Sequence, residues 1–276
     1  MVKKMNNEIA VIIPTYNSEK TIKRAVDSVN KQILDNYTLK IIVVDDCSQD
    51  KTREVVEGMD NVQFFKNYQS TGGPNEGRNA GIEIARDAKY IAFLDHDDEW
   101  LPGKLLTQVN VMDKTGINTS FTGYRIISRD RTVDFVYGVG NIVKYSINTL
   151  FKIFLLRDMN SHVLPYMSSL VVRNENVPLF DDPVYDYEWS LRLLKNKSVI
   201  YIDRVLMNRY ESGENLSNDE KYISGGMKHI DKTLRKYLQY KEARLGKKCF
   251  HFNDHINKIR AGNKKEAYKA LWKTFF

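Results

Sequence analysis

The sequence has few of the features that mark secreted, membrane-spanning or disordered proteins. It has only two cysteines, Cys47 and Cys249, far apart and without CxxC spacing, which gives neither a disulfide framework nor a zinc site. Its apolar runs are about as long as Ile9–Ile13 or Tyr90–Leu94, far below the roughly 18 residues of a membrane-spanning helix. The first of these runs is also too short for a secretory signal, so we expect a cytoplasmic protein. With 6 Pro, 15 Gly and 42% hydrophobic residues, the chain is expected to form a globular core.

Charge is unevenly distributed along the 276 residues. Residues 219–276 hold 15 Lys and Arg against 6 Asp and Glu, a net charge of +9, whereas residues 1–218 have a net charge of −2. A localised basic tail indicates an anionic partner surface, either membrane lipid or nucleic acid, unless it is the solvated face of a helix.

The first hundred residues alternate short apolar runs with helical patterns, which indicates a parallel sheet flanked by helices. Buried strands are predicted at residues 9–13, 39–44, 62–65 and 90–94. The helix after the first strand has an apolar face formed by Ile22, Ala25, Val26, Val29 and Ile33. After residue 100 the pattern is mixed, with strands predicted at 119–127, 132–137, 168–172 and 199–207, and helices at 104–114, 145–157 and 186–196. Further helices are predicted from about residue 222 to the end.

Polar and acidic residues follow three of the predicted strands. Residues 14–17 (Pro-Thr-Tyr-Asn) follow the first strand, Asp45 and Asp46 the second, and residues 95–98 (Asp-His-Asp-Asp) the fourth. Ligands of open parallel sheets bind at the carboxyl ends of the strands. Carboxylates that converge there repel one another, and a divalent cation with a phosphate ligand relieves the repulsion. Oxygen ligands favour Mg²⁺ or Mn²⁺ over zinc.

Two other enzyme classes fit this pattern poorly. A Rossmann dehydrogenase would have GxGxxG directly after its first strand, where this chain has Pro-Thr-Tyr-Asn. A phosphatase that uses paired aspartates as nucleophile and acid would be expected to place them after its first strand, not its fourth.

The blocks PTYN, VVDDCSQD, GGPNEGRNAG and FLDHDDEW stand in this order between residues 9 and 100. Together they resemble the nucleotide-sugar half of the family 2 glycosyltransferases, which have the GT-A fold. The resemblance implies an α/β fold with a Rossmann-like, mostly parallel sheet flanked by helices. The implied domain covers residues 1–215, with a nucleotide-sugar-binding half at 1–100 and an acceptor-binding half at 101–215, and a basic helical extension covers 216–276.

The resemblance also implies a reaction. A sugar would move from a nucleoside diphosphate sugar, UDP-linked, to a hydroxyl of a saccharide or lipid-linked acceptor of the cell envelope, with inversion at the anomeric carbon. With the basic tail, this favours a peripheral position on the inner face of the cell membrane, and no nucleic acid partner is expected.

Nucleotide-binding roles follow from the matching blocks. By resemblance, Thr15 and Tyr16 hold the nucleobase, and Asp45, or Asp46 if the register is shifted, bonds the base or ribose. Arg78 would reach the ribose or phosphate. The residues expected to bind the nucleotide sugar are Pro14, Thr15, Tyr16, Asn17, Asp45, Asp46, Gly73, Arg78, Asp95, His96, Asp98 and Arg209.

The Asp-His-Asp block matches the DxD element of the family. The resemblance implies that Asp95 contacts the ribose, that Asp97 binds the Mn²⁺ or Mg²⁺ bridging the two phosphates, and that Asp98 lies toward the donor sugar. His96 occupies the variable middle position and acts as a spacer. Cys47 stands where family members usually have Gly, which puts the local turn geometry in question.

Inverting members use a carboxylate at a later helix start to deprotonate the acceptor. By resemblance Asp186 is this base, with Glu188 or Asp182 as the alternative if Asp186 only caps the helix. Tyr185 stands where the family has its first acid, and Glu211 where it often has His. These departures leave open a non-catalytic nucleotide-sugar-binding protein on the same fold. A nucleotidyltransferase is the other alternative, but its glycine- and basic-rich loop after the first strand is missing.

Overall fold

A computed structural model describes residues 6–136, 142–145, 166–194 and 197–212, and seven residues between 225 and 236 that are helical. The chain divides into two compact units, the first made of Met1–Tyr145 and Pro165–Gly213, the second of Ser146–Leu164 and Glu214–Phe276. The strands and helices given below all belong to the first unit. The rest of the predicted C-terminal extension, and most of the helix predicted at 145–157, lie outside the described residues.

The elements alternate as the sequence predicts up to residue 93. The strands are β1 (Asn6–Thr15), β2 (Thr38–Asp45), β3 (Val62–Lys66), β4 (Ala88–Phe93), β5 (Glu99–Trp100), β6 (Thr119–Ile127), β7 (Thr132–Phe135), β8 (Ile142–Tyr145), β9 (Val171–Arg173) and β10 (Val199–Tyr210). The helices are α1 (Ile22–Asn30), α2 (Thr52–Glu57), α3 (Pro74–Ile84), α4 (Lys104–Thr115) and α5 (Tyr187–Leu194), with a 3₁₀ helix at Met167–Ser169.

These strands form one mixed sheet in the described part of the chain, in the order β3-β2-β1-β4-β9-β6-β10-β5, with β7 on β6 and β8 on β10. Strands β1 to β4 pair in parallel, which confirms the α/β prediction for the first half. Strand β9 runs antiparallel to both β4 and β6, whereas β10 runs parallel to β6. The second half is therefore mixed, as its looser sequence pattern indicates.

The central strand β1 contains an uninterrupted apolar run, Ile9–Ile13, and has no alternation of apolar and polar residues there. All five side chains of Ile9–Ile13 are buried, because helices cover the parallel sheet. Ile9, Val11 and Ile13 share a core cluster with the α1 face at Ile22 and Val26. Helix α3 approaches β1 closely, since a Cβ added at Gly81 would lie 2.4 Å from Ile12 Cγ2.

Three local predictions are wrong. Helix α1 ends at Asn30, so Ile33 does not extend its apolar face and is 74% exposed. The strand predicted at 168–172 begins at Val171, because the Ser169 hydroxyl donates to the Tyr166 carbonyl and closes a 3₁₀ turn. Tyr145 ends β8 and does not begin a helix. Among the described residues, no helix is both long and apolar enough to cross a bilayer.

Hydrogen bonds of the Asp113 side chain link α4 to the sheet near the amino ends of β2 and β4. Its carboxylate accepts hydrogen bonds from the hydroxyls of Tyr37 and Tyr90, from Lys89 Nζ at 2.9 Å and from Arg173 Nη2 at 3.0 Å. Burial raises the pKa of Asp113, but these four donors outweigh it and hold the pKa well below its ordinary value.

Replacing Asp113 by Asn is expected to lower the free energy of unfolding by about 1–2 kcal/mol at pH 7, a loss limited by solvent screening of a partly exposed group. The pKa of Asp113 is lower in the folded protein than in the unfolded protein. The stabilisation by Asp113 is therefore fully present above the unfolded pKa, near 4, and decreases as the pH falls below it. Urea denaturation at pH 7 and pH 3 measures the difference, with Asp60→Asn at an exposed position as control. Equal stability of wild type and Asp113→Asn at pH 7 would contradict this role.

Candidate active site

The parallel pairing of β1, β2 and β4 brings their carboxyl ends to one edge of the sheet. Thr15 pairs with Asp45, and Ile12 pairs with Phe93. The backbone N–H of Asp46 donates to the Thr15 carbonyl at 2.8 Å, so the segments after β1 and β2 are in direct contact. The three polar blocks predicted from the sequence are therefore adjacent.

The segment after β1 presents one aromatic ring to solvent. Thr15 is buried and its hydroxyl bonds that of Ser18, whereas Tyr16 is 50% exposed. Asn17 joins this segment to the turn after β2, because its Oδ1 accepts from Gln49 N and its own N–H donates to Ser48 Oγ, both at 2.8 Å. Tyr16 is thus not packed in the core, and its ring is available for stacking on a nucleobase.

Asp45 ends β2 and Asp46 follows it, and both side chains are buried and hydrogen-bonded within the protein. Asp45 accepts from the backbone N–H of Ser48 at 3.1 Å and from its hydroxyl, which makes it a turn-forming residue. Asp46 accepts from Asn67 Nδ2 at 2.9 Å, from Ser70 Oγ at 3.0 Å and from the backbone and hydroxyl of Thr71. Burial raises the pKa of Asp46, but these hydrogen bonds outweigh it and leave the pKa below its ordinary value.

The turn after Asp46 keeps the geometry that glycine favours. Cys47 has φ of 67°, in the left-handed region that costs most side chains about 1 kcal/mol or more. Its Sγ also lies 3.2 Å from the carbonyl oxygen of Asn67. The departure from Gly at this position therefore changes the side chain and leaves the turn intact.

The three aspartates after β4 lie in different surroundings. Asp95 Oδ1 accepts from Arg78 Nη2 at 2.6 Å. Asp98 is 2% exposed and accepts from the Ser168 hydroxyl at 2.5 Å. Burial, followed by the charges of Asp97 and Asp95, raises the pKa of Asp98 well above its ordinary value.

The loop between these aspartates is held from both sides. The Asp97 carbonyl accepts from Arg24 Nη2 at 2.6 Å, and the Arg24 guanidinium lies 3.8 Å from the ring centre of Tyr210. His96 Nδ1 lies 3.1 Å from the Thr21 hydroxyl oxygen, which links the loop to the residue before α1. Helix α1 and strand β10 thus fix the backbone of this loop.

Two arginines partly neutralise the acidic cluster. Arg78 is 3% exposed and pairs with Asp95, while Arg209 Nη1 donates to Glu211 Oε1 at 2.8 Å. Burial lowers the pKa of Arg209, but Tyr166, Glu211 and the carboxylates of Asp98 and Asp97 outweigh it, so the pKa stands above its ordinary value. The repulsion that the sequence assigned to a metal ion alone is therefore relieved in part by the protein.

The residues present fit one carboxylate ligand for a divalent cation. The resemblance assigns this ligand to Asp97, which lies in the same loop as Asp95, paired with Arg78, and the buried Asp98. No group of three His, Cys, Asp or Glu side chains suited to a metal ion occurs in the described segments. Mg²⁺ commonly binds through one or two carboxylates with substrate phosphates and water, so this donor set suits it when a diphosphate is bound.

Asp186 immediately precedes α5. Its carbonyl accepts from Ser190 N at 2.9 Å, and the preceding turn is built on Asp182, whose Oδ1 accepts from the backbone N–H groups of Val184 and Tyr185 at 2.9 Å. Glu188 is 7% exposed and forms an ion pair with Arg192 at 2.7 Å. Asp182 and Glu188 thus both hold local structure, and Asp186 remains the base that the resemblance implies.

Several residues that build this site are not apparent in the sequence pattern. Arg24 sits on the polar side of α1, and Ser168 lies where a strand was predicted. Asn75 lies within a matching block but carries no local signal of its own. Each acts on residues about 70 or more positions away.

Comparisons with known sequences bear on the family of the chain. The sequence profile of Glycosyl transferase family 2 matches residues 10–168. Over 127 residues the chain is 36% identical to the UDP-Glc:alpha-D-GlcNAc-diphosphoundecaprenol beta-1,3-glucosyltransferase WfgD of Escherichia coli, covering 45% of this chain and 49% of that protein. Over 104 residues it is 38% identical to the GalNAc(5)-diNAcBac-PP-undecaprenol beta-1,3-glucosyltransferase of Campylobacter jejuni, covering 36% of this chain and 33% of that protein. The chain spans half or less of the length of these two relatives.

A solved structure shares the fold. The crystal structure of S. aureus TarS 1-349 in complex with UDP-GlcNAc superposes with a TM-score of 0.70 at 20% identity, covering 96% of this chain and 78% of that one. This likeness confirms the predicted GT-A-like fold. The profile match spans more than half of the chain and includes the blocks after β1, β2 and β4. The chain therefore belongs to glycosyl transferase family 2.

Proposed function

We propose that the protein transfers a sugar from a UDP-sugar to a hydroxyl group of a saccharide or lipid-linked acceptor, with a divalent metal ion and with inversion. The observation that carries this proposal is the cluster after β4, where Asp95, Asp97 and Asp98 follow a parallel strand at the carboxyl edge of the sheet. Tyr16 and the Asp45 turn border the same edge and suit a nucleoside. The names of two relatives specify undecaprenol-linked acceptors, and a structural neighbour was solved with UDP-GlcNAc.

The reaction is a single displacement at the anomeric carbon. A bond forms from the acceptor oxygen to this carbon, while the bond to the diphosphate oxygen breaks and its electron pair leaves with UDP. Asp186 takes the acceptor proton as general base. Asp97 would hold the Mn²⁺ or Mg²⁺, which when bound supplies positive charge against the leaving diphosphate.

Two arginines, Arg209 and Arg78, support the proposed reaction at the acidic cluster. Arg209 faces the charges of Asp97 and Asp98, so it is close enough to the cluster to add positive charge beside the diphosphate. Arg78 is buried and acts on Asp95, so we assign it to the orientation of Asp95 and not to direct phosphate contact. The predicted ribose contact of Asp95 then depends on this ion pair.

The basic segment at 219–276 supports a peripheral membrane position. A net charge of +9 attracts anionic lipid at low ionic strength, and a lipid-linked acceptor is presented at a membrane surface. This segment lies almost wholly outside the described residues, so the proposal rests on its sequence and on the acceptors in the relatives' names.

UDP is expected to raise the melting temperature in the presence of Mn²⁺ and much less in the presence of EDTA, because a ligand selective for the native state adds RT ln(1 + [L]/Kd) to stability. Differential scanning fluorimetry with UDP, Mn²⁺ and both together measures this, with cytidine diphosphate as a control for the base. No shift with UDP and Mn²⁺ would contradict the proposed donor. A shift without any UDP release from UDP-sugars would indicate a non-catalytic binder.

A further inference from the structure

One buried asparagine joins the acidic cluster to the segment that carries the proposed base. Asn75 is fully buried on α3, and its Oδ1 accepts from Arg78 Nη1 at 2.5 Å. Its Nδ2 donates to the Asp182 carbonyl at 2.8 Å, and its backbone N–H donates to the Pro183 carbonyl at 3.0 Å. Because Arg78 also donates to Asp95, an unbroken polar chain runs from Asp95 to residue 182.

The contact at residues 182–183 is tight. A Cβ added at Gly73 would lie 2.3 Å from the Pro183 carbonyl oxygen, so the backbones approach as closely as glycine permits. A second asparagine of α3, Asn79, donates to the Phe180 carbonyl at 3.0 Å and accepts from its N–H at 2.7 Å. Helix α3 therefore holds the whole segment from Phe180 to Pro183.

A short hydrogen-bonded turn connects residue 182, which α3 holds, to Asp186. The Asp182 carboxylate accepts from the N–H groups of Val184 and Tyr185, and Asp186 begins the hydrogen bonding of α5 in the next step. A shift at residue 182 therefore moves Asp186. Misplacing a catalytic group by about 1 Å costs on the order of 100-fold in rate.

We propose that Asn75 is a positioning residue that fixes segment 182–186, and with it Asp186, relative to the Asp95–Arg78 pair. This inference rests on the proposed function, because it assigns Asn75 a purpose in aligning base and donor. Asn75 does not touch the reacting atoms, so its loss should affect the rate of transfer more than the binding of UDP.

The most selective variant is Asn75→Asp. It keeps an oxygen for Arg78 but replaces the donor to the Asp182 carbonyl by a second oxygen, which repels that carbonyl. Asn75→Ala removes both side-chain bonds without adding a buried charge and covers the case in which the first variant does not fold. Asn110→Asp, on the exposed face of α4, is the matched control for the same chemical change.

Two measurements test the inference. The first is UDP release from the UDP-sugar that wild type uses, giving kcat and donor KM, and the second is amide hydrogen exchange. We expect either Asn75 variant to lower kcat by about 10- to 100-fold with donor KM within about 3-fold of wild type, and to speed exchange in residues 180–190 but not in β1.

The outcomes separate the inference from the proposed function. Unchanged exchange at 180–190, an unchanged kcat, or a kcat that falls only together with UDP affinity overturns the positioning role. Absence of UDP release by wild type from every UDP-sugar overturns the proposed function and the inference with it. Slower turnover at constant donor KM, with faster exchange confined to 180–190, supports it.

Discussion

Asp186→Asn is expected to leave UDP affinity nearly unchanged while it lowers kcat by roughly 10² to 10⁴-fold, the usual weight of general-base catalysis. Asn keeps the size of the side chain and can still cap α5, but it cannot accept the acceptor proton. Because the base acts on the acceptor and has no part in diphosphate binding, affinity and turnover should separate. Isothermal titration with UDP and a UDP-release assay at saturating donor and Mn²⁺ measure the two quantities.

Glu188→Gln is the informative comparison for Asp186. Glu188 is buried and paired with Arg192, so its loss should lower stability more than kcat. If Asp186→Asn retains wild-type transfer while Glu188→Gln loses it at unchanged stability, the base is Glu188. If both retain transfer, neither residue removes the proton.

Asp97→Asn is expected to damage both binding and turnover. The neutral amide is a poor ligand for Mn²⁺ or Mg²⁺, so metal-dependent UDP affinity should fall by at least about 10-fold and kcat by at least about 100-fold. The same two assays apply, each with and without EDTA. Wild type should lose affinity and activity in EDTA, whereas the variant should change little because its metal response is already lost.

The control for Asp97→Asn is Asp60→Asn, which makes the same charge change at an exposed position before the amino end of β3. It should behave as wild type in both assays. Retention of full metal-dependent binding by Asp97→Asn would show that another group holds the metal.

The nucleotide half of the fold was predictable because its signals are local. Strand β1 contains the five-residue apolar run Ile9–Ile13, and a parallel strand covered on both faces has such a run. Neighbouring parallel strands bring their carboxyl ends together, so the sequence pattern places Thr15, Asp45 and Asp95 at one edge of the sheet. The register of Thr15 against Asp45 confirms that grouping.

The different hydrogen-bond and ion-pair partners of the aspartates were not predictable from the sequence. Four carboxylates of similar sequence context differ in their partners: Asp45 caps a turn, Asp46 holds a loop, Asp95 pairs with Arg78, and Asp98 is buried against Ser168. These differences come from tertiary contacts, which no periodic pattern records.

The same limit applies to residues that support the site from far along the chain. Arg24 reaches the loop of Asp97 across 73 positions, and Asn75 reaches Asp182 across 107. The sequence pattern places Ser168 in a strand, yet the Ser169 hydroxyl closes a 3₁₀ turn that presents Ser168 to Asp98. Side-chain bonds to the backbone of this kind compete with strand pairing and are invisible to hydrophobic patterns.

The most direct test of the account is the configuration of the first sugar released or transferred from an α-linked UDP-sugar, followed by proton NMR in the presence of Mn²⁺. A single displacement with Asp186 as base inverts the anomeric carbon, so the account predicts that the β-anomer forms first and that EDTA stops its formation. An α-anomer formed first, or a β-anomer formed equally fast in EDTA, would contradict metal-dependent inverting transfer.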